Sequence, residues 1–482
     1  MLKHLLNYIP AKLFPGVISF LSIYIFARIF TQEEYGNYSF VIAQLTLISA
    51  VLFSWIRLSA FRFFNIYQTQ RYLFFKYLII IYSVVFAFFL AFILVYLQVT
   101  NFNRDISILF ILGIIAIMFT VSYDQIVSIL RADLKSKTFA YYEIIKPTLK
   151  IIIILVLVLL FNFSETSIMY ALIISQLILI SHFLLGNFKR ESLFTMAKFK
   201  TAKYTRNEYL AINKDFLYYG LPLTLSFLFA NITSTSDRII IKYLMDAESV
   251  AKYTLAYDLT SFTVTNVFMI LNFTFVPVIM KLVDSDKLSL LKQKILDYFN
   301  LILLVVAPVV IFLVIFAQQV TDFVLGDQYN TQDTVQIIRL ISIAAFIAGL
   351  KAYFFDFSFQ FGKKTRNQIY PIMFGGVINI LLNFILIPKF GIVGAVYSTI
   401  LAYLIALLIS IVLGQKVFKM YIDYKTSTQI ILGYSTITVI FMLIKIDGSS
   451  FGTFMINISI YLLLIIVIFL LFKKKILKIL KG

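Results

Sequence analysis

Residues 216–244 read FLYYGLPLTLSFLFANITSTSDRIIIKYL, a long apolar stretch that carries Asp237 and Arg238 side by side. A segment of about 20 mainly apolar residues is long enough to cross a bilayer as an α-helix. A charged side chain at the bilayer centre costs roughly 2.5 kcal/mol or more, so charges inside such a segment suggest a function. The stretch therefore predicts a transmembrane helix and makes Asp237 and Arg238 candidate functional residues.

The rest of the chain repeats this apolar pattern. Of its 482 residues, 61% are hydrophobic and 13% are charged, whereas soluble proteins are about half apolar and a quarter charged. About fourteen apolar runs have transmembrane length, and they predict an all-α, polytopic membrane protein. The predicted spans are residues 13–30, 38–56, 75–97, 106–129, 147–162, 167–186, 216–237, 252–279, 298–317, 335–358, 369–388, 392–414, 427–445 and 453–472.

The basic residues predict how these spans are oriented. With the N-terminus inside, 33 of the 42 Lys and Arg residues lie on the inner side and 6 on the outer side. Cytoplasmic loops carry the excess of Lys and Arg in membrane proteins, so we expect both termini in the cytoplasm. The net charge of +19 then indicates contact with anionic lipid headgroups at the cytoplasmic face, and we expect no nucleic-acid partner.

The chain offers few residues for catalysis. It has no cysteine and two histidines, which excludes disulfides and leaves too few ligands for a histidine-based metal site. The sequence has no Walker loop and no nucleophile elbow, so we expect neither a cofactor nor enzymatic activity. Asp284-Ser285-Asp286 resembles the acidic triplet of many glycosyltransferases, but we favour a helix-capping role ahead of Lys287.

Weak internal similarity predicts two related halves. Lys137-Thr138 matches Lys364-Thr365, and LFPGVISFL at Leu13 resembles GLPLTLSFL at Gly220. The offset keeps the parity of the spans, so the halves share one orientation, as in transporters with parallel repeats. We therefore expect two related halves of six helices each. The predicted divisions are an N-lobe at 1–187, a basic cytoplasmic linker at 188–215, a C-lobe at 216–418, and two further spans with a basic tail at 419–482.

Several stretches are familiar from one family. They are FPGVISFLSIYIFARIFTQEEYGNYSF after the amphipathic start, GLPLTLSFLFANITSTSDRIIIKYLMDAESVAKYTLAYDL from Gly220, and NILLNFILIPKFGIVGAVYSTILAYLI from Asn379. Across nearly the whole chain, the sequence resembles the polysaccharide (O-antigen and related oligosaccharide) flippases of the multidrug/oligosaccharidyl-lipid/polysaccharide exporter superfamily. The resemblance implies a lipid-linked oligosaccharide, joined through pyrophosphate to a polyprenol, as the substrate. It also implies two six-helix lobes around a central cavity that opens alternately to each side of a bacterial cytoplasmic membrane. Polysaccharide-assembly enzymes would be partners.

Other functions remain open from the residues alone. The same fold would suit a drug/cation antiporter or a flippase for a lipid-linked peptidoglycan precursor, and a membrane polysaccharide polymerase is a further alternative. A cation exporter should have an acidic cavity, whereas here the candidates within the membrane or at a cavity mouth are more often basic than acidic. A polymerase should carry a large outer loop, and the predicted outer loops are short.

A pyrophosphate group requires cations, and Lys351 is the deepest candidate. It lies about midway between Val335 and Lys363, nearest the bilayer centre. Arg suits bidentate phosphate contacts, and Lys acts as a point charge. We therefore predict that Lys351 lines the cavity, with an internal salt bridge to Asp356 or Asp124 as the alternative.

Further candidate cations lie near the ends of spans. Lys146 and Lys150 are one helical turn apart at the inner end of the fifth span and share a helix face. The family resemblance ranks Arg62 above Arg57. At these positions, anchoring at the membrane interface is the alternative to phosphate binding. The other candidates of this kind are Arg28 and Arg339.

The predicted topology places Asp237 and Arg238 near the outer end of their span. About 21 residues separate Phe216 from Asp237, and at 1.5 Å per residue they place Asp237 roughly 32 Å along the helix, near the outer boundary. We therefore predict that Asp237 and Arg238 belong to an outer gate, with anchoring at the membrane interface as the alternative. Arg28 is the corresponding residue of the first half. Membrane-embedded acids can also bind a proton or Na⁺, and the candidates for ion coupling are Asp124, Asp237, Asp258 and Asp356.

Overall fold

The computed structural model describes residues 2–100, 102–188, 205–283, 288–448 and 450–473. This described part contains fourteen long α-helices and no strand. The helices are α1 (Leu2–Ile29), α2 (Gln32–Phe63), α3 (Arg71–Thr100), α4 (Arg104–Ala132), α5 (Ser136–Phe161), α6 (Thr166–Phe188), α7 (Arg206–Leu244), α8 (Ala247–Val283), α9 (Leu288–Ile315), α10 (Gln332–Leu350), α11 (Ile369–Phe390), α12 (Ile392–Gln415), α13 (Tyr424–Ile444) and α14 (Phe451–Leu471).

These helices confirm the predicted all-α membrane fold. Among the described residues, thirteen helices are long and apolar enough to cross a membrane, and residues 14–29 of α1 form a shorter apolar helix. The protein is therefore a multi-pass membrane protein. Three features named from the sequence lie wholly or mainly outside the described residues: the Asp284-Ser285-Asp286 triplet, the tail at 474–482, and the linker predicted at 188–215, of which residues 189–204 are not described. Residues 206–215 of that predicted linker belong to α7.

Most helices extend beyond the apolar runs that predicted them, because polar residues cap their ends. At the start of α2, the Thr31 hydroxyl accepts the Glu34 N–H at 3.2 Å, while Glu34 accepts the Thr31 N–H at 2.8 Å. Thr205 and Glu208 form the same capping box at the start of α7. Such boxes satisfy backbone donors that a helix start leaves unpaired, and α7 thus begins ten residues before Phe216.

The chain divides into two compact units, Met1–Ala251 and Lys252–Gly482. In the first unit, α2 packs against α4 and along α7, α1 packs against α5, and α6 packs against α4 and α5. The division falls after α7, whereas the sequence repeat places α7 at the start of the C-lobe. The division into lobes, which rests on the repeat, stays a prediction.

Polar contacts fasten both ends of α7 within the first unit. Near its start, the Ser59 hydroxyl donates to the Phe216 carbonyl oxygen at 2.9 Å, and the Tyr67 hydroxyl donates to Asp215 at 2.6 Å. Tyr67 lies in the turn after α2, where burial and then the hydrogen bond to Asp215 raise its pKa above the ordinary value. Near the other end, Lys242 Nζ donates to Asn37 Oδ1 at 3.0 Å. These contacts explain why α7 belongs to the first unit.

In the second unit, α11 and α12 form a tight hairpin. Gly391 alone joins them, with φ of 60°, a conformation that glycine adopts without steric cost. A Cβ atom at Gly394 would lie 2.2 Å from the Leu386 carbonyl oxygen. The Pro-x-Phe-Gly-x-x-Gly-Ala pattern of residues 388–395 is therefore the sequence of a close helical hairpin.

The predicted span 335–358 does not form one regular α-helix, because an irregular turn follows α10. Residues Lys351–Phe355 form a π turn, in which the Asp356 N–H donates to the Lys351 carbonyl oxygen at 2.8 Å. A short helical turn, Phe357–Phe361, follows. Single π turns inside α-helices are frequent at functional sites, and this one begins at the deepest candidate cation.

Candidate functional site

Three charged side chains of the first unit meet between α2, α4 and α5. Arg57 Nη1 lies 3.2 Å from Asp124 Oδ2, and Lys146 Nζ lies 3.6 Å from Asp124 Oδ1. Each carboxylate oxygen therefore faces one cation, and the trio keeps one net positive charge. The three side chains are about one-third accessible, so they are neither locked in the core nor freely solvated.

An aromatic ring positions the lysine of this trio. Lys146 Nζ lies 4.4 Å from the centroid of the Tyr123 ring, and Tyr123 is buried. A cation over an aromatic face is attracted by about 0.5–1 kcal/mol or more. Tyr123 and Asp124 are consecutive on α4, so one helix supplies both groups that hold Lys146.

A cavity of about 190 Å3 adjoins this trio. Arg57 and Asp124 belong to its wall, which is formed by α2, α4 and α7. Arg57 lies six residues before the end of α2 and Thr46 lies seventeen, so the cavity reaches roughly 9 to 26 Å along that helix. The polar residues of the wall are Thr46, Ser49, Ser54, Arg57, Thr120, Asp124 and Asn231.

A second cavity, of about 440 Å3, shares Arg57 and Asp124 with the first. It adds Arg131 and Glu143, which lie where α4 ends and α5 begins. Arg131 lies over two aromatic rings, 5.6 Å from the Phe61 centroid and 5.7 Å from the Phe139 centroid. The two cavities form a polar path from that end of the unit into its interior.

The wall of the first cavity presents hydrogen-bond acceptors. The Ser49 hydroxyl donates to the Thr46 carbonyl oxygen at 2.9 Å, and Asn231 Nδ2 donates to the Phe227 carbonyl oxygen at 2.8 Å. These bonds use donors of both side chains, while their oxygen atoms retain lone pairs. Together with Asp124, they suit a ligand rich in hydroxyl donors, and Arg57 suits an anionic group beside it.

The deepest predicted cation, Lys351, is buried in an ion pair. Its Nζ lies 2.8 Å from Asp356 Oδ2, and Asp356 also accepts Gln368 Nε2 at 3.2 Å and the Ser410 hydroxyl. Five residues along a regular α-helix turn about 140°, so the π turn brings Lys351 and Asp356 to one side. This is the internal salt bridge weighed as the alternative, and a cavity role for Lys351 stays a prediction.

The remaining predicted cations have surroundings other than the Arg57–Asp124–Lys146 cluster. Lys150 lies 5.5 Å from the Phe26 centroid. Arg28 lies 3.7 Å from the Tyr24 centroid and donates to the Tyr24 carbonyl oxygen at 3.2 Å. Arg62 and Arg339 are exposed. Their roles in substrate binding therefore remain predictions.

The predicted gate and coupling acids lie in different surroundings. Asp237 is fully buried on α7, while its neighbour Arg238 and Asp258 on α8 are partly buried. Within the described residues, no group of three or more acidic or histidine side chains is placed to hold a metal ion. Two of the candidate acids contact cations: Asp124 contacts Arg57 and Lys146, and Asp356 contacts Lys351.

Sequence reasoning ranked Arg57 low and missed Arg131, Glu143 and Asn231. Arg57 lies inside the apolar run VLFSWIRLSAF, whereas Arg62 follows it. That depth was the available indication that Arg57 faces protein rather than the interface. No comparable pattern marks Asn231 on α7 as a cavity residue.

The fold is that of a class of membrane transporters. The lipid II flippase MurJ, in an inward closed conformation, aligns with a TM-score of 0.73, at 16% identity over 98% of this chain and 99% of that one. An outward-facing multidrug resistance MATE family transporter of the MOP superfamily aligns with a TM-score of 0.58, at 16% identity over 86% of this chain and 95% of that one. Likenesses at this identity establish the architecture alone.

The family follows from the sequence comparisons. The model of the polysaccharide biosynthesis protein family matches residues 2–283, more than half of the chain, and the protein belongs to this family. An uncharacterized membrane protein of Methanocaldococcus jannaschii is 24% identical over 288 residues, or 59% of this chain. The match covers 66% of that relative, just under two thirds of its length. The family resemblance seen in the sequence is confirmed.

Proposed function

We propose that this protein moves a polyprenyl-pyrophosphate-linked oligosaccharide across the cytoplasmic membrane by alternating access, for surface polysaccharide biosynthesis. The observation that carries the proposal is the Arg57–Asp124–Lys146 cluster beside an acceptor-lined cavity. Membership of the polysaccharide biosynthesis family supports the class of cargo. The transporter architecture supports translocation rather than chemistry on the sugar.

The cluster suits a pyrophosphate group because its cations carry their own counter-ion. Two cations in a low-dielectric site would be costly without a carboxylate nearby. Asp124 supplies it when no substrate is bound. The contact with Asp124 uses one of the five guanidinium donors of Arg57, so an arriving phosphate can share the guanidinium and then displace the carboxylate.

The cavity suits a sugar because it combines acceptors with an anion-binding arginine. Sugar hydroxyl groups donate hydrogen bonds, and the oxygen atoms of Ser49, Asn231 and Asp124 accept them. A drug-like cation would meet net positive charge here, which disfavours the antiporter alternative. The positive-inside distribution puts the Arg131 end of the path on the cytoplasmic side, from which the proposed cargo would enter.

The test is transport by the reconstituted full-length protein. Proteoliposomes carrying a polyprenyl-pyrophosphate oligosaccharide would be treated with an impermeant glycosidase, which digests sugars on the outer leaflet only. We expect the wild type to expose its cargo and Arg57→Gln to expose much less. Arg104→Gln is the matched control, since Arg104 is exposed at the start of α4 and belongs to neither cavity wall.

Two outcomes would contradict the proposal. Equal exposure with the wild type and with protein-free vesicles would exclude flipping of this cargo. Exposure of a lipid-linked peptidoglycan precursor, but not of the oligosaccharide, would assign the alternative substrate. In cells lacking the gene, the oligosaccharide should accumulate in the inner leaflet, whereas normal outer-leaflet delivery with failed chain growth would indicate a polymerase.

A further inference from the structure

An apolar groove runs along the α11–α12 hairpin of the second unit. It encloses about 590 Å3 and has an entirely apolar accessible lining. The walls are Tyr370 and Phe374 on α11 and Leu408, Ile409, Val412 and Leu413 on α12. Tyr370, Phe374, Leu408 and Val412 are each between 47% and 59% exposed, so the groove opens away from the hairpin.

The groove lies at one end of the hairpin. Tyr370 is the second residue of α11, and Leu413 lies two residues before the end of α12. Because Gly391 turns the chain back at the opposite end, the start of α11 and the end of α12 lie together. The groove therefore opens where the apolar helices meet polar chain, which is the level of lipid headgroups in a bilayer.

Cations flank the groove at this end on both helices. Arg366 lies four residues before Tyr370, and Lys416 lies four residues after Val412. Lys416 keeps helical backbone angles, so it shares a helix face with Val412. Arg366 lies in the 3-10 turn Thr365–Gln368 that leads directly into α11. Both cations are exposed, as are Lys363 and Lys364 in the loop before α11. No Asp or Glu occurs between residues 357 and 422, so the stretch that carries Arg366 and Lys416 has no acid of its own.

The loop that carries three of these cations is held in place. The Lys364 N–H donates to the Phe359 carbonyl oxygen at 2.9 Å. Gln368 Nε2 donates to the buried carboxylate of Asp356 at 3.2 Å. A cation on an ordered loop loses less conformational freedom when it binds an anion. Arg366 is thus presented near the groove before any ligand arrives.

We propose that this groove is a binding site for an anionic phospholipid of the surrounding leaflet. One acyl chain occupies the apolar groove, and the headgroup phosphate binds Arg366 and Lys416. Arg forms bidentate contacts with phosphate, and Lys adds a point charge. The combination of an apolar slot with cations at one end matches the chemistry of a phospholipid, whereas a second protein copy would bring no phosphate to these residues. The inference does not depend on the cargo proposed above.

The test is lipid binding by the purified full-length protein, measured by native mass spectrometry. Phosphatidylglycerol and phosphatidylcholine with identical acyl chains would be titrated in parallel. We expect preferential retention of phosphatidylglycerol, and a loss of affinity of about 30-fold in Arg366→Gln/Lys416→Gln, because each basic residue near an anionic headgroup is worth roughly fivefold in affinity. Lys389→Gln, at the other end of α11, is the matched control and should bind as the wild type does.

A second variant tests the contribution of the apolar groove independently of the two cations. Val412→Trp fills the groove but leaves both cations, and we expect it to weaken phosphatidylglycerol binding while binding of inorganic phosphate is unchanged. Equal retention of the two lipids, or wild-type affinity in the double variant, would overturn the proposal. Displacement of phosphatidylglycerol by polyprenyl phosphate at equal concentration would overturn it too, since the groove would then belong to the carrier lipid.

Discussion

Replacing Asp124 with Asn should move stability and anion affinity in opposite directions. The change keeps the size of the side chain but removes the charge that faces Arg57 at 3.2 Å and Lys146 at 3.6 Å. Both pairs are about one-third accessible, so each contributes roughly 0.2–1 kcal/mol, the range of solvent-exposed pairs. We therefore expect Asp124→Asn to lower the free energy of unfolding by about 1 kcal/mol and by no more than about 2 kcal/mol.

Asp124→Asn should bind a phosphate anion more tightly than the wild type, by about the free energy that it loses in stability. In the wild type, a pyrophosphate must displace the carboxylate from both cations, whereas in Asp124→Asn it need not. A gain of about 1 kcal/mol corresponds to roughly five- to tenfold tighter binding. A residue with a structural role only would lose stability without this gain.

The assay uses a reporter that the chain already contains. Trp55 is the only tryptophan in the sequence, is buried and lies two residues before Arg57 on α2. Its fluorescence would be followed during titration of the detergent-solubilised protein with inorganic pyrophosphate, and separately during thermal unfolding. Asp133→Asn is the matched control, since Asp133 pairs with Lys135 at 2.7 Å outside the cavity and should leave pyrophosphate affinity unchanged. Equal or weaker binding of pyrophosphate by Asp124→Asn would refute the counter-ion argument.

Three further variants test other parts of the structure. Lys351→Ala should destabilise the protein by about 3–5 kcal/mol, because it leaves the Asp356 carboxylate buried without its cation. The double variant Lys351→Met/Asp356→Leu should restore stability, as measured by thermal unfolding. Wild-type transport by this double variant would show that Lys351 has no role in the cavity. Gly36→Val should lower stability by about 1–3 kcal/mol, because a Cβ there would lie 1.8 Å from the Ala247 carbonyl oxygen, and an unchanged unfolding temperature would contradict that contact. Tyr67→Phe should cost about 1–3 kcal/mol at neutral pH, since it removes a hydrogen bond to a carboxylate. The raised pKa of Tyr67 means that this contribution is complete below the ordinary value of 10.0 and is lost as the pH rises above it, so denaturant titrations from pH 7 to 11 should show the difference from wild type shrinking only at the alkaline end.

The candidate site shows where local reasoning succeeds and where it stops. Asp124 and Lys146 were both identified from the sequence, because a charge near a hydrophobic run is visible in the run itself. Their pairing was not, since they lie on different helices. Arg57 and Arg62 are five residues apart on one helix, so they point in directions about 140° apart. Which of the two faces a cavity depends on the helices packed around α2.

The pairing of Lys351 with Asp356 was likewise not predictable from their spacing, although both lie in one predicted span. In a regular α-helix, Lys351 and Asp356 would diverge, and depth alone favoured Lys351 as a free cavity cation. The residues of the turn, KAYFF, contain no glycine or proline to predict an irregularity. The buried ion pair with Asp356, which also accepts bonds from Gln368 and Ser410, is seen only once the helices are packed.

The sequence by itself determined the all-α membrane architecture, the approximate positions of the thirteen long apolar helices in the described part of the chain, and the family. Hydropathy settles these because, in a bilayer, each helix must satisfy its own backbone hydrogen bonds and be apolar over its length, so the requirement is local. Only the tertiary structure decided that α7 packs along α2, that Asp124 holds two cations beside a cavity and that Lys351 is paired. Those facts depend on distances between helices that lie far apart in the chain or on an irregular turn, and neither leaves a period in the sequence.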